Sequence, residues 1–328
     1  MTKGTMMIRR IATLLAALAL LGASGATAQA ASPWRDAGSG HHQEHAHGRT
    51  ADRLPDRIEL PDGFLPEGIT IRGHFAYLGS RADGSIYRAN LLDGTGRVIG
   101  AGPGTPAVGL KVDHRGRLFV AGGDAGDARV VDARTGEILK TYALTDEPSF
   151  VNDVILTKRS AWFTDSTRPV LYQLTLGPRG ALPTKAVELP LTGEWEQGTG
   201  IGANGIAVTP DGRALLVVNS TTGFLYRVDP ATGEATRVDL GGTLLVNGDG
   251  LLVKGRTLYV VLNLDNRVAV IHLDRHGTSG ALVDSLTSDD FDVPTTVASF
   301  AGGLYLPNAR FTTPQEPTTE FWVTRIEP

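Results

Sequence analysis

The sequence NGIAVTPDGRALLVVNSTTGFLYRV, residues 204–228, contains the repeating unit of this chain in its clearest form. It contains three short apolar runs, and the turn sequence Pro210-Asp211-Gly212-Arg213 separates the first run from the second. Short β-branched and aromatic runs separated by Asp- and Gly-containing turns are typical of antiparallel strands. The stretch therefore predicts three consecutive strands of one small sheet.

The same arrangement recurs six times between residues 58 and 328. The six opening strands begin, at intervals of 41, 44, 52, 45 and 46 residues, at Glu67, Val108, Asn152, Asn204, Asp249 and Thr295. A period of about 40–50 residues with three or four strands per unit is typical of propeller blades. Helical repeats would need apolar residues at a spacing of about 3.6 positions, which these units lack. The sequence predicts an all-β fold, a six-bladed β-propeller over residues 58–328.

The two ends of this region predict how the ring of blades closes. The sixth unit ends after its third strand, at Ile326, while Arg57-Ile58-Glu59-Leu60 precedes the first unit as an unpaired strand. We expect this N-terminal strand to pair as the outer strand of the last blade and to protect its edge. Such closure would take the place of disulfide bonds, because the chain contains no cysteine.

The first thirty residues have the layout of a secretory signal peptide. Arg9 and Arg10 precede an apolar run over residues 11–21, and small-residue cleavage sites follow at Ala26-Thr27-Ala28 and Ala28-Gln29-Ala30. An uncleaved membrane anchor is the alternative, but the apolar run is too short to span a bilayer comfortably. We therefore expect a secreted, extracellular protein with no membrane association after cleavage near residues 28–30.

Residues 31–57 show no apolar periodicity and include four histidines at positions 41, 42, 45 and 47. This composition predicts a disordered linker, with transition-metal binding as the alternative. The chain carries 31 Lys and Arg against 35 Asp and Glu, and no basic stripe is visible. This charge balance argues against a nucleic-acid partner. We also expect the protein to be a monomer.

One register of the repeat carries the candidate chemistry. The innermost strands of a propeller surround its axis, so the six residues that open them should form a ring. This ring would hold two carboxylates, two amides, one hydroxyl and one apolar residue. Facing carboxylates repel each other unless a cation separates them, and an all-oxygen set suits Ca²⁺ better than zinc or copper. The alternative is that Asn and Asp open these strands only as turn formers.

The pattern resembles the gluconolactonase and senescence-marker-protein (regucalcin-like) family of calcium-binding six-bladed β-propellers, over residues 58–328. The resemblance implies one calcium ion held by Glu67 in Pro66-Glu67-Gly68, Asn152 in Val151-Asn152-Asp153, Asn204 in Asn204-Gly205 and Asp249 in Gly248-Asp249-Gly250. It also implies that Asp249 is the general base. Paraoxonase-like arylesterases and strictosidine-synthase-like proteins are related calcium propellers.

The sequence departs from the family's sugar lactonases at one informative position. Those enzymes have an arginine two residues before the first metal asparagine, where this chain has Phe150. An apolar side chain cannot pair sugar hydroxyls, so we expect a less polar substrate. The alternative is that Phe150 packs in the blade core and another residue, such as Arg310, replaces the arginine. Further substrate contacts are expected from Phe150 itself and from polar residues near the ends of the second strands: Asp165, Asn219, Asn263, Asn308 and Arg310. For each polar residue, a role in capping a loop is the alternative.

These features favour a calcium-dependent hydrolase of a small-molecule lactone or ester, in which the metal polarises the carbonyl group. A non-catalytic propeller is the second hypothesis, with a structural calcium ion and a rim that binds a ligand or a protein. A lyase or synthase of the strictosidine-synthase-like kind is the third. Fold alone cannot separate these hypotheses.

Overall fold

The computed structural model describes residues 54–328, so the predicted signal peptide and most of the predicted linker lie outside the described residues. The first strand, β1 (Arg57–Leu60), begins one residue before the predicted start of the propeller. Three four-stranded sheets follow in chain order. Blade 1 consists of β2 (Pro66–Arg72), β3 (Phe75–Ser80), β4 (Ile86–Asn90) and β5 (Gly96–Gly100). Blade 2 consists of β6 (Leu110–Val112), β7 (Arg117–Ala121), β8 (Asp127–Asp132) and β9 (Ile138–Ala143). Blade 3 consists of β10 (Val151–Leu156), β11 (Ser160–Asp165), β12 (Val170–Thr175) and β13 (Val187–Pro190).

The remaining strands form blades 4–6. Blade 4 contains β15 (Ala203–Val208), β16 (Leu215–Asn219), β17 (Leu225–Val228) and β18 (Glu234–Arg237), and the short β14 (Thr192–Gly193) adds a fifth, parallel strand. Blade 5 consists of β19 (Gly248–Lys254), β20 (Thr257–Leu262), β21 (Arg267–Leu273) and β22 (Gly280–Thr287). Blade 6 contains β23 (Ala298–Phe300), β24 (Gly303–Pro307) and β25 (Phe321–Ile326). Two 3-10 turns, Pro178–Gly180 and Asn263–Asp265, are the helical elements among the described residues.

β1 closes the ring as the sequence predicts. It pairs antiparallel with β25, and Ile58 lies opposite Val323 while Leu60 lies opposite Phe321. Blade 6 therefore receives its outer strand from the opposite end of the domain, and its sheet has the order β1-β25-β24-β23. The prediction of a six-bladed β-propeller closed by its N-terminal strand is confirmed.

The inner strands of neighbouring blades contact each other directly around the axis. The Gly109 N–H donates to the carbonyl oxygen of Asn152 at 2.8 Å, and the Gly250 N–H donates to that of Thr295 at 2.8 Å. Thr295 Oγ1 in turn donates to the carbonyl oxygen of Glu67 at 2.6 Å. The residues that open the six repeats therefore lie around one narrow channel, as expected.

Apolar side chains fill the space between neighbouring blades. Ile58 and Phe321 of blade 6, for example, belong to the same buried cluster as Ile69 and Leu78 of blade 1. In residues 54–328, no helix is long and apolar enough to cross a membrane.

Candidate metal centre at the mouth of the channel

Four of the six inner strands are irregular at the position of the ring residue. The register between first and second strands shifts in blades 1, 3, 4 and 5, between the residue pairs Pro66/Ile69, Val151/Val154, Ala203/Ile206 and Gly248/Leu251. A bulge adds a residue to one strand and re-aims its side chain. These are the four blades whose ring residues the sequence assigned to metal. In blades 2 and 6 the regular strand begins later, at Leu110 and Ala298.

The glycines that follow ring residues allow the inner strands to approach closely. A Cβ atom added to Gly205 would lie 2.0 Å from the carbonyl oxygen of Asp249, and one added to Gly68 would lie 2.4 Å from that of Val108. Neither position can accept a side chain without moving the backbone of the next blade. The Glu-Gly, Asn-Gly and Asp-Gly pairs of the repeat therefore reflect the narrowness of the channel.

The four candidate ligands are buried, and three of them present unpartnered oxygens. Glu67, Asn152, Asn204 and Asp249 are 4–6% exposed. Within residues 54–328, no donor reaches Glu67 Oε2, Asn152 Oδ1 or Asn204 Oδ1. Buried acceptors of this kind are rare, because each costs free energy unless a donor or an ion satisfies it.

A second row of side chains orients this ring, and it shares one register of the repeat. In each of these four blades, the residue before the ring ligand pairs with a residue of the second strand. The next residue along the chain after that partner belongs to the row, which consists of Arg81, Ser166, Ser220 and Asn263. Asn152 Nδ2 donates to Ser166 Oγ at 2.9 Å, and Asn204 Nδ2 donates to Ser220 Oγ at 3.0 Å.

The serine hydroxyls donate onward to the next blade, Ser166 to the carbonyl oxygen of Ala203 at 2.7 Å and Ser220 to that of Gly248. Each serine oxygen therefore accepts from the asparagine nitrogen. This hydrogen-bond direction identifies the amide nitrogen on the serine side and leaves Oδ1 of each asparagine without a protein donor.

Nitrogen donors of the second row lie beside the ring carboxylates, whereas serine hydroxyls contact the two asparagines. Asn263 Nδ2 donates to Asp249 Oδ2 at 2.7 Å. The Arg81 guanidinium interacts electrostatically with Glu67 and Asp249 and lies 4.7 Å from the centre of the Phe311 ring. Sequence reasoning missed Arg81, although its register, the same as that of Ser166 and Ser220, could have identified it.

Both ring carboxyls resist ionisation in the metal-free chain. Burial, followed by the neighbouring charges of Asp249 and Asp153, raises the pKa of Glu67 well above its usual range. Burial also raises the pKa of Asp249 to about 8, although hydrogen bonds from Asn263 and Asn204 oppose that shift. A cation in the ring would remove this cost.

The donor set fits a hard divalent cation, because it offers two carboxylates and two amide oxygens with no sulfur or imidazole. No group of three or more His, Cys, Asp or Glu side chains in the described part of the chain is placed to hold a metal. Binding in the ring would therefore depend on the amides of Asn152 and Asn204 as well as on the two carboxylates.

Three of the residues expected to contact substrate lie inside their blades. Asp165, Asn219 and Asn308 are 0% exposed. Asp165 Oδ1 accepts three backbone N–H groups, Asn219 Oδ1 accepts two, and Asn308 Oδ1 accepts one. These contacts match the loop-capping alternative, so the expected position facing a substrate is wrong for these residues. They lie one register before the second row, and a one-residue step along a strand reverses the side to which a side chain points.

The other expected contacts differ among themselves. Asn263 reaches the ring through Asp249, as described above. Arg310 binds Asp292 Oδ2 at 2.7 Å and the carbonyl oxygen of Glu320 at 2.8 Å, so its own blade occupies it. Phe150 is half-buried and packs against the core between blades 2 and 3.

Exposed apolar side chains occur in loops at the same end of the blades as the ring. They are 41–54% exposed: Ile201, Leu244, Val246, Leu264 and Phe311. Leu264 directly follows Asn263, and Phe311 lies against Arg81. The mouth of the channel is therefore polar at its centre and partly apolar around it.

No family model matches the sequence, and no curated protein matches it. Solved structures resemble its fold. The Malassezia sympodialis allergen Mala s 1 is 14% identical, with 83% of this chain and 96% of that chain covered and a TM-score of 0.65. A luciferin-regenerating enzyme is 13% identical, with coverage of 83% and 95% and a TM-score of 0.58. Virginiamycin B lyase from Staphylococcus aureus is 17% identical, with coverage of 76% and 80% and a TM-score of 0.56. At these identities the similarity is one of fold, the β-propeller.

Proposed function

We propose that this protein is a secreted, calcium-dependent hydrolase of a lactone or ester that is less polar than a sugar lactone. The observation that carries the proposal is the set of buried, unpartnered oxygens of Glu67, Asn152 and Asn204 beside the Asp249 carboxylate. These four residues would hold the ion. Bound calcium would supply a positive charge that polarises a substrate carbonyl group and favours the developing oxyanion.

Asp249 is the candidate general base. Asn263 holds its Oδ2, which limits rotation of the carboxylate. The proton of an attacking water would pass to the Oδ1 atom of Asp249. A cation in the ring would keep Asp249 ionised, which is the form that accepts this proton.

The apolar surroundings support the choice of substrate. Phe150 offers no hydrogen-bond donor from its side chain, and Arg310 is engaged by Asp292. The exposed side chains of Leu244, Val246 and Leu264 could cover an acyl or aromatic group. Arg81 beside the ring is a donor, but sugar hydroxyls beyond its reach would lose water without a partner, at a cost of about 1–3 kcal/mol each.

The test is a panel of gluconolactone, a long-chain lactone and an aryl ester, assayed with saturating calcium or with a chelator. We expect faster turnover of the apolar substrates and none with the chelator. Asp249→Asn keeps a ligand oxygen but loses the base, so turnover should fall about 10²–10⁴-fold. Val108→Ala, which changes an apolar ring residue, should retain activity. Faster turnover of gluconolactone that Phe150→Ala leaves unchanged would contradict the apolar substrate.

A structural calcium ion without catalysis is the second candidate. Arg81, supported by Phe311, lies close to the ring carboxylates and could restrict access to an ion there. Calcium-dependent stabilisation with no turnover of any panel member would favour this candidate.

A further inference from the structure

A cavity opens between blades 2 and 3, at the end of the blades opposite the metal ring. Its volume is about 580 Å³, within the range of small-molecule sites. Three segments line it: the β6–β7 turn, the β10–β11 turn and the connection after β12, which contains the turn Pro178–Gly180. None of these segments contributes to the ring or to the row that orients it.

The ionisable side chains of this cavity are almost all basic. They are His114, Arg117, Lys158, Arg159 and Arg179, and the single acid is Asp113. Arg117 pairs with Asp113 Oδ2 at 2.7 Å, and Asp113 Oδ1 accepts the backbone N–H groups of Arg115 and Arg117. The one negative charge of the wall is therefore already satisfied.

Three cations of the wall remain available to a ligand. Lys158, Arg159 and Arg179 are exposed, and no ion pair joins them to a carboxylate within residues 54–328. The whole chain has a formal net charge of −4, so this cluster does not follow from an overall excess of basic residues. Guanidinium groups match the oxygens of phosphate and sulfate by paired hydrogen bonds.

The cavity is held together by a contact between its walls. Arg117 Nη1 donates to the carbonyl oxygen of Gly180 at 2.8 Å and joins the β6–β7 turn to the turn Pro178–Gly180. Within that turn Arg179 has a φ of 56°, in the left-handed region that non-glycine residues rarely adopt. Backbone strain of this kind persists where surrounding contacts hold it, and it is concentrated at functional sites.

Apolar groups complete the lining. Val112, Leu156 and Leu176 are half-buried, and the two leucines pack against the core between blades 2 and 3. We propose that this cavity is a second ligand site, which binds a small phosphate or sulfate monoester through Lys158, Arg159 and Arg179 and covers its apolar group with these side chains. The site is independent of the ring and of the proposed hydrolase.

Isothermal titration calorimetry with phenyl phosphate and phenyl sulfate, which measures their affinity and stoichiometry, tests the proposal. A chelator is present so that no metal in the ring can bind the anion, and ionic strength is constant. We expect saturable binding of one equivalent of at least one ester, with inorganic phosphate at least tenfold weaker and phenol without measurable binding. Absence of ester binding, or phenol binding as tightly as the esters, would overturn the site.

Two paired variants locate the binding. Arg159→Glu with Arg179→Glu should weaken ester binding at least tenfold, and the milder Arg159→Gln with Arg179→Gln tests the same groups if the first does not fold. Arg275→Glu reverses an exposed cation at the same end of blade 5 and should change the affinity less than twofold. Calcium-dependent stabilisation should be unchanged in all folded variants. Equal loss in the Arg275 variant, or no loss in either double variant, would contradict the assignment.

Discussion

At the scale of the residue, the ring combines carboxyls that resist ionisation with amide oxygens that have no donor. Burial is the main cause of the raised pKa values of Glu67 and Asp249. Ser166 and Ser220 act on the amides through hydrogen bonds that determine which atom faces the channel. The raised carboxyl pKa values should make stability depend on pH, and the orientation of the amides should affect metal affinity.

The metal-free protein should lose stability as pH rises from about 4 towards 8. Between the ordinary carboxyl pKa and the raised value of about 8 for Asp249, the folded chain holds a proton that the unfolded chain releases. The free energy of unfolding should therefore decrease with pH, by up to about 1.4 kcal/mol per pH unit for each such group. Urea unfolding in chelator at several pH values measures this slope. Asp249→Asn should make it shallower, and a slope of opposite sign would contradict the pKa assignment.

Two asparagines should separate metal affinity from stability. Asn263→Ala removes the donor to Asp249 Oδ2 and should weaken calcium binding about 10-fold or more. Asn219→Ala should leave calcium affinity unchanged but destabilise the fold by about 1–3 kcal/mol, because buried backbone groups in blade 4 lose their partner. Calorimetry and urea unfolding measure the two quantities. Equal effects of both variants on calcium affinity would contradict the assigned roles.

At the scale of the element, the bulged inner strands and the closing strand have separate tasks. The bulges of β2, β10, β15 and β19 occur at the ligand positions, where regular pairing is interrupted. β1 instead completes the outer edge of blade 6 and buries Ile58 against blade 1. A ring of separate sheets needs this closing strand, because without it the outer edge of blade 6 would be unpaired and exposed to other chains.

Ile58→Ala should destabilise the protein by about 2–5 kcal/mol, because it leaves a cavity in the core between blades 6 and 1. Glu59→Ala is the matched control, since Glu59 lies on the same strand with its side chain exposed and should change stability by less than about 0.5 kcal/mol. Chemical denaturation of both variants provides the comparison. Similar stabilities for the two would show that β1 contributes little to closure.

At the scale of the whole molecule, the candidate ion would contact side chains from four blades. Blades 1, 3, 4 and 5 provide Glu67, Asn152, Asn204 and Asp249, which are separated by up to 182 residues in sequence. The unfolded chain cannot hold these residues together, so metal binding should be coupled to folding.

Calcium at a hundredfold excess over its Kd should stabilise the fold by about 2.7 kcal/mol. Differential scanning calorimetry with and without a chelator measures the corresponding shift in Tm. Asp249→Ala and Glu67→Ala should abolish the shift, whereas Val108→Ala should retain it. Equal calcium-induced shifts for the wild type and Asp249→Ala would rule out the ring as the binding site.

The repeat was sufficient to predict the six blades, the closure by β1 and the register of the ring, because strand periodicity and turn chemistry are local and recur along the chain. It also identified Asn263, although not its contact with Asp249. The repeat does not show to which side of a strand a side chain points near a bulge. Asp165, Asn219 and Asn308 were therefore predicted on the wrong side of their strands.

The folded chain alone reveals which oxygens remain without donors, that Arg81 lies beside Glu67, and that three distant segments form a basic cavity. These properties depend on contacts between blades, which the spacing of residues along the chain does not specify.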